Sequence, residues 1–168
     1  GVSNRRPPME QDLHDEALAQ GLIRYCPICD GYEVSDRKVG VIGDDRHGVA
    51  EAVFLRGYTS DVTLIAPYAE PRLEGQDWAA LERCGIAALN GPCQAVAFDG
   101  RWITVDPAEG HYTFDSVYPA LGSDVHSDLA DMVGAEQSDT GCILVDAHQR
   151  TSVPGLYAAG DVVQGLDQ

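Results

Sequence analysis

The sequence predicts an α/β fold, a central, mostly parallel sheet flanked by helices and carrying an antiparallel β insert. Three observations carry this. Residues 39–42, a helix over about 47–58 and residues 61–66 follow one another within about thirty residues, the spacing of a strand–helix–strand unit with a right-handed crossover. A second helix over 78–83 then leads into a third apolar run, 86–89. Beyond it, short apolar runs flank an Asp99-Gly100 turn, the mark of a hairpin.

Each element has its own signal. Residues 1–12 are polar and rich in proline, and read as a linker. Asp12 can cap a helix over 13–20, which Gly21 ends, and the short apolar stretch 22–26 delivers a Cys-x-x-Cys turn. Residues 39–42 are rich in β-branched side chains, as in a strand buried on both faces. In the helix that follows, Val49, Ala50, Val53 and Phe54 share one apolar face. Asp77 caps the second helix and Gly85 ends it. Residues 94–98 and 102–105 form the hairpin, and 112–121 adds strand interrupted near Asp115-Ser116. Residues 123–138 are polar, a loop with some helix. Residues 142–145 and 155–159 are the last two strands, joined by a polar turn through His148 and Arg150.

Composition narrows the function classes. A chain of 168 residues supports one domain with a sizeable core, or two small ones. No apolar run approaches the ~18 residues of a membrane span, and the start has no apolar signal-peptide region. With 27 acidic and 11 basic residues the net charge is −16, which repels phosphate backbones and anionic lipid, so neither nucleic acid nor membrane is an expected partner. Five cysteines, an odd number, make no secreted disulfide framework; Cys84, Cys93 and Cys142 are scattered and read as small buried residues. A cytoplasmic setting is expected. The chain does not begin with Met and is expected to be a piece of a longer protein.

The chemistry concentrates in Cys26-Pro27-Ile28-Cys29-Asp30. Two thiols at this spacing can close into a disulfide and reopen, and the thiolate is the reactive species. Asp30 cannot lower a neighbouring thiol's pKa by its charge, but it can shuttle a proton to a departing thiolate. The alternatives are half a zinc site and an inert pair. No second close Cys or His pair completes four ligands, so no metal is expected. After the first strand, Gly43-Asp44-Asp45-Arg46-His47-Gly48 stands where a dinucleotide site has Gly-x-Gly-x-x-Gly. Both outer glycines are present, while Asp45 places a side chain and a negative charge at the middle position. Arg46 and His47 are candidate anion ligands, with helix capping and solvation as the other reading. After the second strand, Arg72 is the one basic residue in 66–72 for a 2′-phosphate, in what otherwise reads as a surface loop.

Four stretches, in order, resemble the thioredoxin reductase family within the pyridine nucleotide-disulfide oxidoreductases. Tyr25-Cys26-Pro27-Ile28-Cys29-Asp30-Gly31 resembles the redox-active Cys-x-x-Cys-Asp-Gly, and residues 39–55 the nicotinamide-nucleotide strand, turn and helix. Ser116-Val117-Tyr118-Pro119-Ala120-Leu121-Gly122 resembles the strand closing the nucleotide domain. Thr151-Ser152-Val153-Pro154-Gly155-Leu156-Tyr157-Ala158-Ala159-Gly160-Asp161-Val162 resembles the segment that returns to the flavin domain.

The resemblance implies a Rossmann-like NAD(P)-binding domain over 35–150, preceded by a linker and redox segment over 1–34 and followed by a returning FAD-domain segment over 151–168. It implies that Cys29 faces the flavin, Cys26 exchanges with the substrate and Asp30 is the general acid. Gly43, Gly48 and Gly122 would line the NADP or NAD site, in whose glycine turn Asp45 and Arg46 sit. Asp161, beside Gly160, would hold the ribityl chain of FAD. Electrons would pass from NAD(P)H through FAD to Cys26–Cys29 and on to a disulfide substrate, a small molecule or a protein such as thioredoxin, in a homodimeric enzyme. The sequence also departs from the family: it has no flavin-binding Gly-x-Gly-x-x-Gly near Gly1 and stops before the helix that completes the flavin site. It is therefore expected to be the central part of a longer flavoprotein, without turnover by itself. Two alternatives stay open. One is a redox-pair flavoprotein fed by another donor, such as ferredoxin or a second flavin. The other is a non-catalytic nucleotide-fold module used for binding or dimerisation.

Overall fold

A computed structural model describes residues 1–93, 95–108 and 110–165. The expected hairpin residue Gln94 and the expected end of the returning segment, 166–168, lie outside the described residues. Along the chain run β1 (Val2–Asn4), α1 (Gln11–Ala19), the single turn α2 (Pro27–Asp30), a 3-10 turn (Gly31–Val34), β2 (Lys38–Ile42), α3 (Arg46–Leu55) and β3 (Asp61–Ile65). Then come α4 (Gly75–Cys84), β4 (Ala87–Leu89), β5 (Ala95–Phe98), β6 (Ile103–Asp106), β7 (Tyr112–Phe114), β8 (Ser116–Pro119), β9 (Ser123–Val125) and α5 (Asp128–Met132). Two compact units result: Arg6–Leu121, and Gly1–Arg5 together with Gly122–Gln168. No described helix is long and apolar enough to cross a membrane.

In the unit Arg6–Leu121, four parallel strands lie in the order β4-β3-β2-β8. The unbroken apolar run in β2 has a direct cause: both faces of the sheet are covered. On one face Val39, Val41, Val62, Leu64 and Tyr118 pack against Val49, Ala52 and Leu55 of α3 and Leu81 of α4. On the other, Ile42, Ile65 and Val117 pack against Ala17 of α1 and against Val96, Ile103, Val105 and Phe114 of the insert. Gly40 sits mid-strand where a Cβ would stand 3.1–3.3 Å from Val117, Ile65 and Phe114, so a side chain there would need three packed neighbours to move. Because the chain goes from β2 to β3 on one side and returns to β8 on the other, the strand order reverses between β2 and β8. In open α/β sheets that is where ligands bind, outside the carboxyl ends of the strands.

The insert is the expected antiparallel element: β5 pairs with β6, and β6 with β7. Phe114 ties it to the sheet. Its ring is fully buried in the cluster shared by both, and Lys38 Nζ lies 5.3 Å from its centroid. Phe114→Ala is expected to destabilise the chain by about 3–5 kcal/mol, the usual cost of truncating a buried Phe. Urea unfolding should show it as a lower midpoint.

Several boundaries differ from the sequence reading for local reasons. Glu10, not Asp12, is the N-cap of α1, and α4 starts at Gly75, so Asp77 lies inside its first turn. There the Asp77 carboxylate accepts from the Glu74 backbone N–H at 3.1 Å, stabilising the helix start from within. Gly85 ends α4 in the left-handed region, φ 64°, as expected. Arg46–Leu55 is shorter than the expected helix over 47–58, and 3-10-type bonds of Gly57 and Tyr58 to Phe54 and Leu55 finish it.

In the other unit, β1 pairs antiparallel with β9 inside stretches read as linker and loop. The two strands expected over 142–145 and 155–159 do not form ladders. Residues there make isolated bridges, Ile143 with Gln137 and Val163, and Tyr157 with Arg150. Their apolar pattern serves a small cluster instead, in which Ala130, Ala135 and Ile143 are buried among Val145, Val153, Leu156, Ala158 and Val162. Gly155 and Gly160, at φ 83° and 82°, turn the chain too sharply for strand pairing to propagate.

Candidate redox site and glycine turn

Cys26 and Cys29 are joined in a disulfide with a Cα–Cα distance of 5.2 Å. The local sequence makes that separation: Pro27 starts the one-turn helix α2 with its φ already fixed, and Cys26 is its N-cap. The Cys29 N–H donates to Cys26 O at 2.9 Å and to Cys26 Sγ at 3.2 Å, and the Asp30 N–H donates to Cys26 O at 3.2 Å. Cys29 is exposed and Cys26 half-buried, with Ile28 and Tyr32 exposed beside them. On the N-terminal side Tyr25 anchors the turn. Its hydroxyl is hydrogen-bonded to Nε2 of buried His14 at 2.9 Å, and His14 Nδ1 to Asp15 at 2.9 Å. Burial pushes the Tyr25 phenol up to about 12.

Asp30 is engaged through both oxygens. Oδ1 accepts from the Tyr118 hydroxyl at 2.7 Å, and Oδ2 pairs with Arg24 Nη1 at 3.1 Å. Arg24 reaches Glu33 through Nη2 at 2.9 Å and donates from Nε to Gly21 O at 3.0 Å. Burial opposes the Arg24 charge, yet its bonds to Glu33 and Asp30 hold the guanidinium above its ordinary pKa. The Tyr118 phenol is pushed far above its ordinary value, by burial first and then by its bond to the Asp30 carboxylate. Tyr118 therefore remains a donor throughout the working pH range. None of His14, Arg24 and Tyr118 stands out by spacing. Sequence reasoning missed all three; Arg24, a charge inside the apolar stretch 22–26, is the one signal that could have found them.

The turn after β2 holds the second set of candidates. Gly43 and Gly48 approach closely: a Cβ on Gly43 would lie 3.0 Å from Gly48 Cα and 3.2 Å from Ala120 O, just past β8. Asp45 is the N-cap of α3, its Oδ1 accepting from the His47 N–H at 2.9 Å and the Gly48 N–H at 3.2 Å. Arg46 and His47 are exposed, and His47 pairs with Glu51 at 2.9 Å. Asp44 is buried and held by Nε and Nη2 of Arg72, at 2.9 and 3.1 Å, while the Arg72 backbone N–H donates to Asp44 O at 2.6 Å. This pairing raises the Arg72 pKa. Gly122, Gly160 and Asp161 belong to the other unit; Gly122 has φ 76°, and Gly160 and Asp161 are exposed.

A protein-family model described as pyridine nucleotide-disulphide oxidoreductase matches residues 1–168. A thioredoxin reductase of Listeria monocytogenes is 28% identical over 159 residues, covering 88% of this chain and 49% of the relative. A thioredoxin reductase of Aquifex aeolicus is 29% identical over 157 residues, covering 89% of this chain and 48% of the relative. An NADH dehydrogenase of Bacillus subtilis is 29% identical over 173 residues, covering 94% of this chain and 31% of the relative. The crystal structure of thioredoxin reductase from T. acidophilum superposes with a TM-score of 0.68 at 26% identity, covering 98% of this chain and 56% of that one. The chain thus spans about half the length, or less, of the curated relatives it matches. Matched along its whole length and sharing the thioredoxin reductase fold, this chain belongs to the pyridine nucleotide-disulphide oxidoreductase family.

Proposed function

We propose that the whole protein is a thioredoxin reductase-like flavoprotein in which reduced FAD delivers electrons to the Cys26–Cys29 disulfide. The resulting dithiol then reduces a disulfide substrate, either a small molecule or a protein of the thioredoxin class. The observation that carries this reading is the closed Cys26–Cys29 bridge on its one-turn helix, exposed at Cys29 and followed by an anchored carboxylate. In the return half-reaction a thiolate of the pair attacks one substrate sulfur. The substrate S–S bond breaks and its bonding pair leaves on the other sulfur. The second cysteine then attacks the mixed disulfide, restoring Cys26–Cys29 and releasing the second substrate thiolate. Two electrons move to the substrate, and in this reading Asp30 passes protons to departing thiolates. Gly160 and the exposed side chain of Asp161 suit the end of a flavin site, where FAD would supply a two-electron reservoir. The segmentation into 1–34, 35–150 and 151–168, the cytoplasmic setting and the homodimer belong to the same reading.

The nicotinamide dinucleotide fits less well. Asp45 fills the amides that a pyrophosphate would use, and Asp44 is clasped by Arg72. A second reading follows from this, in which the flavin is fed by a different donor such as a reduced ferredoxin or a second flavin.

The test of the exchange reading is direct. The reduced chain is mixed with glutathione disulfide or oxidised thioredoxin, and thiols are counted after acid quench and alkylation. The expected result is loss of two thiols per chain and recovery of the Cys26–Cys29 bridge. A pair that stays reduced under both oxidants sinks the reading.

A further inference from the structure

We propose that Tyr118 is a positioning residue for Asp30, so that a hydroxyl from the sheet core sets how the carboxylate serves the redox pair. This rests on the reading of Cys26–Cys29 as the exchanging pair.

Tyr118 lies on β8, paired in register with Val41, and its side chain sits fully buried in an apolar cluster with Val39, Val41, Leu55 and Leu64. A phenylalanine would fill the same space. A hydroxyl carried into such surroundings costs free energy unless it is bonded. Here it is aimed at one group, Asp30 Oδ1, at 2.7 Å, 88 residues away in sequence. Arg24, from the segment before the turn, pairs with Oδ2, and Glu33 of the 3-10 turn is in turn bound to Arg24. Together Arg24 and Tyr118 fix both oxygens, so the carboxylate cannot rotate without breaking one bond. Fixed in this way, Asp30 holds one orientation beside the adjacent Cys29. Without the Tyr118 hydroxyl, Oδ1 is released and its charge is no longer shared. The freed carboxylate then raises the cost of the neighbouring thiolate and delivers protons from a less defined position. The high Tyr118 pKa agrees with this role, since the hydroxyl keeps its proton and always donates.

The test is a double-mutant cycle on the full chain. Reduction of the disulfide by dithiothreitol, and alkylation of the reduced pair, are followed from about pH 6 to 9 in the unaltered chain, Tyr118→Phe, Asp30→Asn and the double variant. Tyr118→Phe is expected to slow exchange about tenfold, the scale of one hydrogen bond to a charged group, and to move the alkylation profile to higher pH. In the Asp30→Asn background the same change should alter the rate less than about twofold. Equal slowing in both backgrounds, or no slowing in either, overturns the proposal. A second readout does not depend on redox chemistry. Asp30→Asn should lower the titration of the highest-titrating phenol, followed by ultraviolet absorbance, while burial still holds it above the ordinary tyrosine range, and an unchanged titration overturns the contact. If dithiothreitol fails to reduce even the unaltered chain, the exchange reading falls and takes this role with it. That outcome is recognisable because it appears before any substitution is made.

Discussion

Cys26→Ser and Cys29→Ser are each expected to bring disulfide exchange down to the uncatalysed background. One thiol can attack a substrate disulfide, but only a second can resolve the mixed disulfide that results. Neither change should unfold the chain. Ser is a good N-cap, so Cys26→Ser keeps an acceptor for the Cys29 N–H. A bridge closing so short a loop contributes about 2 kcal/mol at most by chain entropy. The two variants should fail differently. Cys26→Ser leaves the exposed Cys29, which is expected to trap a mixed disulfide readily, whereas Cys29→Ser leaves the half-buried Cys26 and should trap more slowly. This order, taken from exposure, is the reverse of the one the family resemblance implies, in which Cys26 exchanges with the substrate. Mass spectrometry after alkylation separates these outcomes against a low background. Cys93 and Cys142 are buried, and burial together with Asp106 pushes the Cys93 thiol up to about 11. Cys84, half-buried at the end of α4, is the main competing thiol. Retention of the full rate by either serine variant would show that exchange does not pass through this pair.

The sheet was legible in the sequence because its strands are buried on both faces. Residues 39–42 are apolar throughout and 62–66 apolar except for Thr63, as strands covered on both faces require. The redox turn was legible because two thiols at fixed spacing need no partner from elsewhere in the chain. Legibility failed where the information is long-range. Nothing around Tyr118 says that its hydroxyl meets Asp30, since the contact depends on β8 returning beside β2 after the whole insert. His14 was equally silent, because an imidazole on a polar helix carries no local mark of burial. The last two expected strands went wrong for the opposite reason. A short apolar run records burial, and Ile143, with Leu156 packed against it, serves a cluster without joining a ladder.

The redox turn and the glycine turn both place carboxylates at functional positions, with different consequences. Asp30 has Arg24 and Tyr118 on its two oxygens, an arrangement that tames its charge beside a thiol. Asp44 has Arg72, and that pair leaves little positive potential for an incoming phosphate. Asp45 accepts from backbone amides while its side chain stands exposed, so its charge stays on the surface at the mouth of the turn.

Calorimetric titration with NADPH or NADH is therefore expected to show no binding to this chain up to about 1 mM, a limit equivalent to about −4 kcal/mol. Anions gain about 0.3–1 kcal/mol, and at most about 2, from a helix N-terminus. Two like unit charges about 4 Å apart near a protein surface repel by about 4 kcal/mol, so repulsion wins even before the lost amides are counted. Those amides, on His47 and Gly48, already have the Asp45 carboxylate as acceptor, and a pyrophosphate would have to displace it. Asp45→Gly removes charge and competitor together, restores the middle glycine of the turn and costs only a few tenths of a kcal/mol as a cap. It is expected to tighten NADPH binding at least about tenfold, because relief of even a third of that repulsion is worth about 1.4 kcal/mol. Asp45→Asn keeps a capping oxygen without the charge and should fall between the two, which separates repulsion from occupancy. Micromolar binding of either nucleotide to the unaltered chain would sink the reading, since it would require Asp45 to leave its cap and the helix terminus to outweigh the carboxylate.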